Sequence, residues 1–585
     1  MKKYAILPLA SLLISLSILF FACKKDLSQE GTTVTVNTDL TTKVSTSVSG
    51  FVTDENDHPA QGALVTAGIG TATTDQFGYF EIKNVQLVKN AAFVTVNKTG
   101  YFKGIKTWIA ADGHTAFFRI KLLPKTNSGM VSGSTGGNIV LPGGMSVSFP
   151  AAGFVNAATG AAYSGPVTVS AQWLNPTAAD LDKTMPGDLR GKDASGSLKL
   201  LTTYGMAAVE LTGISNELLQ VAPGKKASLT MPIPASMSGT APATIPLWYF
   251  DETNGLWKED GSATKTGNTY VGDVSHFTYW NCDIPGPTVQ VRFRLVDAGL
   301  PVALAELRII TQAAAGSAHG YTNENGEVVG TLPANSILLM QILECGVFHD
   351  VTTFTTTGAD LDLGEIAIPN TVAQTAIVTG SVNDCNGLPL ATGHIYTSSY
   401  NTGYYNIAPV TNGHFVYAER FCGTNLPTTI VATNISGGLS SQPFTFTLLP
   451  GNNAAGLLQT CTLLPEFLHY TVNNSSFNFN LPVDNVGQNG YSTFNVVYAA
   501  ASNSNFINFN FDAAGINTGS FQDIISITCT GTDSVVIDPN SKLHITEYGL
   551  VGEHISGNFS ISGHRYVNPS VPVNITCDFR TIRSY

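Results

Sequence analysis

Gly50-Phe51-Val52-Thr53-Asp54-Glu55-Asn56-Asp57-His58-Pro59 is followed by Ala63-Leu64-Val65-Thr66 and by Thr73-Thr74-Asp75-Gln76-Phe77-Gly78-Tyr79-Phe80-Glu81-Ile82. Short apolar runs rich in β-branched and aromatic residues are separated by Asp, Asn, Gly and Pro, the residues that make turns. Phe93-Val94-Thr95-Val96 and Lys98-Thr99-Gly100-Tyr101-Phe102 close the unit. Strands at about 8–12-residue spacing with such turns read as a β-sandwich. The pattern then recurs. Gly380, Val382, Asp384, Asn386 and Pro389 stand at one constant spacing from Gly50, Val52, Asp54, Asn56 and Pro59, and Asn412-Gly413-His414-Phe415 replaces Gly78-Tyr79-Phe80. A weaker copy between them opens on Asp297-Ala298-Gly299-Leu300-Pro301 and carries Thr322-Asn323-Glu324-Asn325-Gly326, without the leading glycine.

The arrangement G-x-V-x-D…P…A-x-V…T-D-x-x-G-x-F over residues 46–124 resembles a carboxypeptidase-regulatory-like domain, which implies a transthyretin-like sandwich. It implies no active site, because the zinc ligands and glutamate base of metallocarboxypeptidases belong to a separate domain. Residues 287–370 are expected to form a degenerate repeat and residues 374–464 a second repeat. Between the first and second copies, residues 128–284 hold four of the five tryptophans. Their opening, Gly136-Gly137-Asn138-Ile139-Val140-Leu141-Pro142-Gly143-Gly144, loosely resembles ZU5-like sandwiches. Pro246 to Trp257 reads as a hairpin across Asn254-Gly255, and Asp180 to Arg190 as a loop insertion. Residues 465–585 are expected to be a C-terminal β domain in which the alternating run Asn505 to Phe511 is paired inside the fold. The expected fold class is all-β: tandem Ig/transthyretin-like sandwiches after an N-terminal signal helix.

That helix is read from the first residues. Lys2 and Lys3 precede an apolar run from Tyr4 to Ala22, then Cys23-Lys24-Lys25. A basic start, an apolar stretch and a small residue at the cut is the order of a secretory signal. The small residue before a cysteine resembles the lipobox of bacterial lipoproteins, which implies that Cys23 is diacylated and becomes the first mature residue. The run also approaches the roughly 20 residues of a membrane span, so a transmembrane anchor or an ordinary signal peptide is the alternative. Residues 1–22 are accordingly expected to be a lipoprotein signal peptide and 23–45 a polar spacer. The chain is expected to sit in the cell envelope of a Gram-negative bacterium, held to the outer membrane by palmitate-type chains.

The 585-residue chain should divide into three to six domains. Charged residues make up 12%, while apolar residues reach 43%, so Thr, Ser, Asn and Gly must keep it in solution. The net charge of −12 has no basic tract, and no nucleic-acid partner is expected. Seven cysteines follow Cys23, an odd number, which leaves at least one thiol unbridged within the chain. The expected pairs are Cys529 with Cys577 and one pair among Cys385, Cys422 and Cys461. No HExxH, G-x-S-x-G or P-loop occurs. Glu344-Cys345 with His349-Asp350 reads as a disulfide or buried thiol beside a surface histidine; His276 to Cys282 reads as a strand with core aromatics, and Asp54 to Asp57 as a capped turn. Asp533-Ser534-Val535 resembles a short acceptor for O-glycosylation in some Gram-negative envelopes. No metal or cofactor is expected. The expected function is non-enzymatic: a lipid-anchored envelope protein presenting sandwiches for surface binding, adhesion or assembly, with the membrane and a glycan or protein as partners. The alternative is a carbohydrate-active or other hydrolase with a site within 128–284.

Overall fold

The computed structural model describes residues 39–585 except 298, 312–316, 370–372, 400–404, 435–438, 464–466, 474, 481–484, 492–493, 501–504, 513, 518–519, 531, 533–534, 539–540, 549–553, 567, 570–571 and 584–585. Cys23 with the signal segment, and Asp533-Ser534, therefore lie outside the described residues. The described chain is all-β: 48 strands accompany one four-residue α-helix, Leu181–Thr184, and two single 3-10 turns.

The first sandwich has seven strands: β1 (Lys43–Thr53), β2 (Leu64–Ala67), β3 (Gly70–Thr73), β4 (Tyr79–Val88), β5 (Ala92–Asn97), β6 (Gly104–Trp108) and β7 (Thr115–Lys121). One sheet has the order β4-β1-β7, with β7 parallel to β1, and the other β3-β2-β5-β6. Alternation puts Val48, Val52, Val65, Phe80, Val94, Val96 and Ile120 into the space between them.

The same connectivity appears twice more. Thr288–Asp297 pairs antiparallel with Glu327–Pro333 and parallel with Leu361–Ala367, while Glu306–Thr311 pairs with Ser317–Tyr321 and Ile337–Glu344. Ala373–Asn383 likewise pairs with His414–Cys422 and, in parallel, with Gly451–Gln459. One turn network marks all three. Val52, Leu295 and Val382 each donate their N–H to the carbonyl of Gly78, Gly326 and Gly413, all at 2.8 Å. Those glycines have φ of 74–75°, and a Cβ on Gly78 would lie 2.3 Å from the Val52 carbonyl oxygen, so glycine is required there. Thr74 and Thr322 also make identical bonds: each hydroxyl accepts from Ala63 or Ala305 and donates to the carbonyl of Ala60 or Val302. The parallel partner strand shifts register at this position both in the middle copy, which has Phe293 in place of the leading glycine, and in the fourth sandwich, which keeps Gly380.

Residues 127–286 build a connected 14-stranded arrangement. Trp248, Trp257 and Trp280 are its largest wholly buried side chains. Thr244–Asp251 and Leu256–Thr266 pair around Asn254-Gly255, as the hairpin reading requires. In the C-terminal unit, Phe467–Val472, Pro572–Ile582, His554–Arg565 and Lys542–Tyr548 form one layer. Asn485–Gly490, Phe494–Ala500, Phe506–Asp512 and Phe521–Cys529 form the other. Phe509, Phe511, Phe559 and Phe579 fill the space between. The Asn/Phe strand 506–512 is paired on both sides.

Candidate functional site

The first sandwich is the point on which the other units converge. Phe51, Phe77, Tyr79 and Phe117 on its outer face join Leu304 and Tyr396 in one apolar cluster, with Tyr321 and Tyr405 packed against it. Phe77 stacks on Tyr396 with ring centroids 4.1 Å apart. Arg119, on β7, places its guanidinium 5.2–5.9 Å from the rings of Phe51, Phe117 and Tyr321 and donates to Tyr405 O and Asn406 Oδ1. One buried arginine thus ties three sandwiches.

Asp75 sits beside it. Its Oδ1 accepts the N–H groups of Phe77 and Tyr79 and caps their turn, while its Oδ2 accepts the Tyr396 hydroxyl at 2.5 Å. Burial outweighs these bonds and lifts the carboxyl to about 6. Burial, helped by the Lys83 charge, pushes His394 down to about 4, so it is neutral at pH 7 although Glu81 lies 3.7 Å away.

A second contact is ionic. The inserted loop at Asp180–Arg190 contains the short helix and wedges between the first and third sandwiches. Lys106 of β6 donates to the carbonyls of Asp182 and Met185, at 2.5 and 2.8 Å, and burial lowers it to about 8. Lys183 lies 3.4 Å from Glu306, and the Tyr321 hydroxyl donates to Glu306 at 3.2 Å. Burial raises the Asp182 carboxyl against the pull of Lys106 and Lys183. Behind the wedge, Phe102 and Ile105 share a core with Trp248, Phe250, Trp257 and Tyr279. Lys98 lies 3.6 Å from Asp578 of the C-terminal unit.

The cysteines correct one expectation. Cys529 and Cys577 are free buried thiols, as is Cys282. They lie on strands of the two facing layers and pack as small apolar groups; burial pushes Cys529 up to about 12 and Cys577 well above its ordinary value. Cys385 is bridged to Cys461 within the fourth sandwich, and Cys422 to Cys345 of the third. Cys345 occupies the first position of the tight hairpin turn between Glu344 and Val347, at φ 56°. Across the same interface Arg420 pairs with Asp297 and, at 2.5 Å, with Glu344.

Other candidates resolve as turns and core. Asp54 accepts the N–H groups of Asn56 and His58, and Asp384 those of Asn386 and Leu388. His276 accepts Trp280 Nε1–H through its carbonyl, and its ring meets Tyr249 edge-on and Trp280 at a tilt. Asp283 is wholly buried among Thr203 and Asn281, and burial raises it well above the carboxylate range. Among the described residues no three His, Cys, Asp or Glu side chains are grouped as a metal would need. The two best-formed depressions hold about 20 Å³ each, room for one water, against several hundred for a small-molecule site. The junction can fix sandwiches in place. Sequence reasoning missed Arg119, Asp75–Tyr396 and Lys183–Glu306 as ties between units.

No protein-family model matches the chain. A stretch of 137 residues, 23% of this chain, is 33% identical to cartilage intermediate layer protein 2 of Homo sapiens and covers 11% of it. A stretch of 164 residues, 26% of this chain, is 32% identical to the Mus musculus protein and covers 14% of it. The chain thus spans a small part of the length of either. Among solved structures, the shaft pilin SpaA of Lactobacillus rhamnosus GG is 12% identical, covers 30% of this chain and 100% of its own, and has a TM-score of 0.15. The major pilin subunit BcpA of Bacillus cereus is 9% identical, covers 72% of this chain and 100% of its own, with a TM-score of 0.12.

Proposed function

We propose that this chain is a non-enzymatic, lipid-anchored protein of the cell envelope that holds β-sandwich units outward for binding, adhesion or assembly. The observation that carries the reading is the junction. Arg119, the Phe77–Tyr396 stack, the Lys183–Glu306 pair and the Cys345–Cys422 bridge fasten the sandwiches to one another around the first, with water-sized depressions between them. A body so built suits the display of surfaces. Two disulfides fit an oxidising compartment, and the lipobox-like Leu19-Phe20-Phe21-Ala22-Cys23 supports export and tethering. Two acyl chains suffice for stable attachment.

The test is Cys23→Ser with palmitate labelling and fractionation. Label and membrane association should both be lost. Unchanged labelling or unchanged sedimentation with membranes overturns the lipid anchor. Turnover of a chromogenic glycoside or ester panel by the purified full chain would overturn the non-enzymatic reading.

A further inference from the structure

The outer face of the C-terminal sheet has a composition and a shape that the fold itself does not need. Along Phe494–Ala500 the burial alternates, so Asn495, Val497 and Ala499 enter the core while Phe494, Val496 and Tyr498 face outward. On the neighbouring strand Ile507, Phe509 and Phe511 face inward and Asn508 and Asn510 outward. Register then sets out two outward rows, Gly487–Tyr498–Asn508–Thr528 and Asn489–Val496–Asn510–Ser526.

Tyr498 lies down on this surface. A Cβ at Gly487 would fall 2.5 Å from its hydroxyl oxygen and 2.6 Å from its Cζ, so the ring crosses onto the next strand over the one residue type that leaves room. The residue is only partly buried, on the outward row of the sheet. On the outward rows beside it, Asn489 and Asn508 are exposed and their side chains make no hydrogen bond among the described residues; Thr528, exposed likewise, lies two strands away. Val496 and Phe494 extend the apolar strip about 14 Å along the strand, where Tyr491, half-exposed, stacks on Phe494 at 4.8 Å. Charge is nearly absent: residues 485–529 contain Asp512 and Asp523 alone, and Asp523 is paired with Lys542.

We propose that this face binds an uncharged glycan chain, with a sugar ring laid on Tyr498 and hydroxyls of the chain bonded to Asn489 and Asn508. A sugar has one face of C–H groups and a rim of hydroxyls, which matches a flat aromatic bordered by free amides. Nucleic acid, acidic polysaccharide and anionic lipid would all need cations that the face lacks. The strip length suits an oligosaccharide and not a single sugar. The proposal rests on the reading of the chain as a surface-presenting protein and names its ligand class.

The test is calorimetry of the full chain in detergent against cellohexaose, xylohexaose, maltohexaose and mannohexaose, with polygalacturonate as the charged control. At least one neutral oligomer should bind with a Kd below about 1 mM. Tyr498→Ala should weaken it tenfold or more, and Asn508→Ala severalfold. Tyr566→Ala, an exposed aromatic elsewhere on the same unit, should leave it unchanged. Gly487→Ala should also weaken binding by lifting the ring, with unfolding followed by circular dichroism to show that each variant stays folded. Binding of no neutral oligomer, binding of polygalacturonate alone, equal binding by Tyr498→Ala, or a dimer dissolved by Tyr498→Ala would each overturn the proposal. Those outcomes leave the Cys23→Ser fractionation untouched, so the two readings fail separately.

Discussion

Tyr396→Phe isolates the tie between the first and fourth sandwiches. The substitution keeps the ring that stacks on Phe77 and removes the hydroxyl that donates to Asp75 at 2.5 Å. A hydrogen bond to a charged group contributes about 1.5–3 kcal/mol and a neutral one about 0.5–1.5 kcal/mol. Asp75 ionises at about 6 in the folded chain and at 3.8 unfolded. The folded state therefore holds the proton more tightly, and this group's contribution to stability is greatest below pH 4 and declines as pH rises through 6. At pH 8 the carboxylate is charged and Tyr396→Phe should cost about 2 kcal/mol. At pH 5 it is mostly protonated and the cost should fall to about 1 kcal/mol or less. The Tyr396 bond also lowers the Asp75 ionisation, so the variant should shift that titration upward. The assay is urea unfolding at both pH values, with hydrogen exchange of the peptide spanning residues 74–80 as the local readout. Equal losses at pH 5 and pH 8, or no loss at either, would refute the assignment of Asp75 as the charged partner.

Thiol counting checks both the disulfides and the anchor: the native chain should expose no reactive thiol, and the denatured, unreduced chain should titrate three, Cys282, Cys529 and Cys577. A fourth would mean that Cys23 carries no thioether. Cys345→Ser opens a bridge spanning 77 residues and should lower stability by about 3 kcal/mol, read as a lower urea midpoint with faster exchange in both the third and fourth sandwiches. Gly78→Ala forces a side chain into a left-handed turn against the Val52 carbonyl. It should cost more than about 1 kcal/mol, whereas Gly113→Ala, at φ 73° with open space around it, should cost about 1 kcal/mol. Calorimetric melting compares the two, and equal losses would contradict the close-approach argument.

The strands were legible because burial in these sheets follows period two. Phe506–Asp512 alternates as the pattern of its residues requires, whereas in Phe521–Cys529 a register shift breaks the alternation and leaves Phe521 and Ile525 outward; the repeat at Gly380 to Pro389 shares its turn bonds with Gly50 to Pro59. The same alternation places Cys529 and Cys577 toward the core, but it carries no information on whether two inward sulfurs meet. Cys345 was legible as a disulfide or a buried thiol beside His349, but its partner Cys422 was not, since that cysteine is in the next sandwich. The junction was the least readable part. Arg119 meets Tyr405 across 286 positions of sequence, and no local periodicity reports a contact set by how finished sandwiches dock. Tyr498 was hidden for a related reason, because its ring lies over a glycine brought beside it by strand register.

The position of Arg119 also has a consequence in time. The chain is made from its N-terminus, and the first sandwich can close on its own core of Val52, Phe80 and Val94 long before residues 396–406 exist. Until they arrive, Phe51, Phe77, Tyr79 and Phe117 stand in water without Tyr396 and Tyr405 over them. The earliest unit made is thus the last to be satisfied, and its aromatic face is the surface on which a half-made chain would stick to its neighbours.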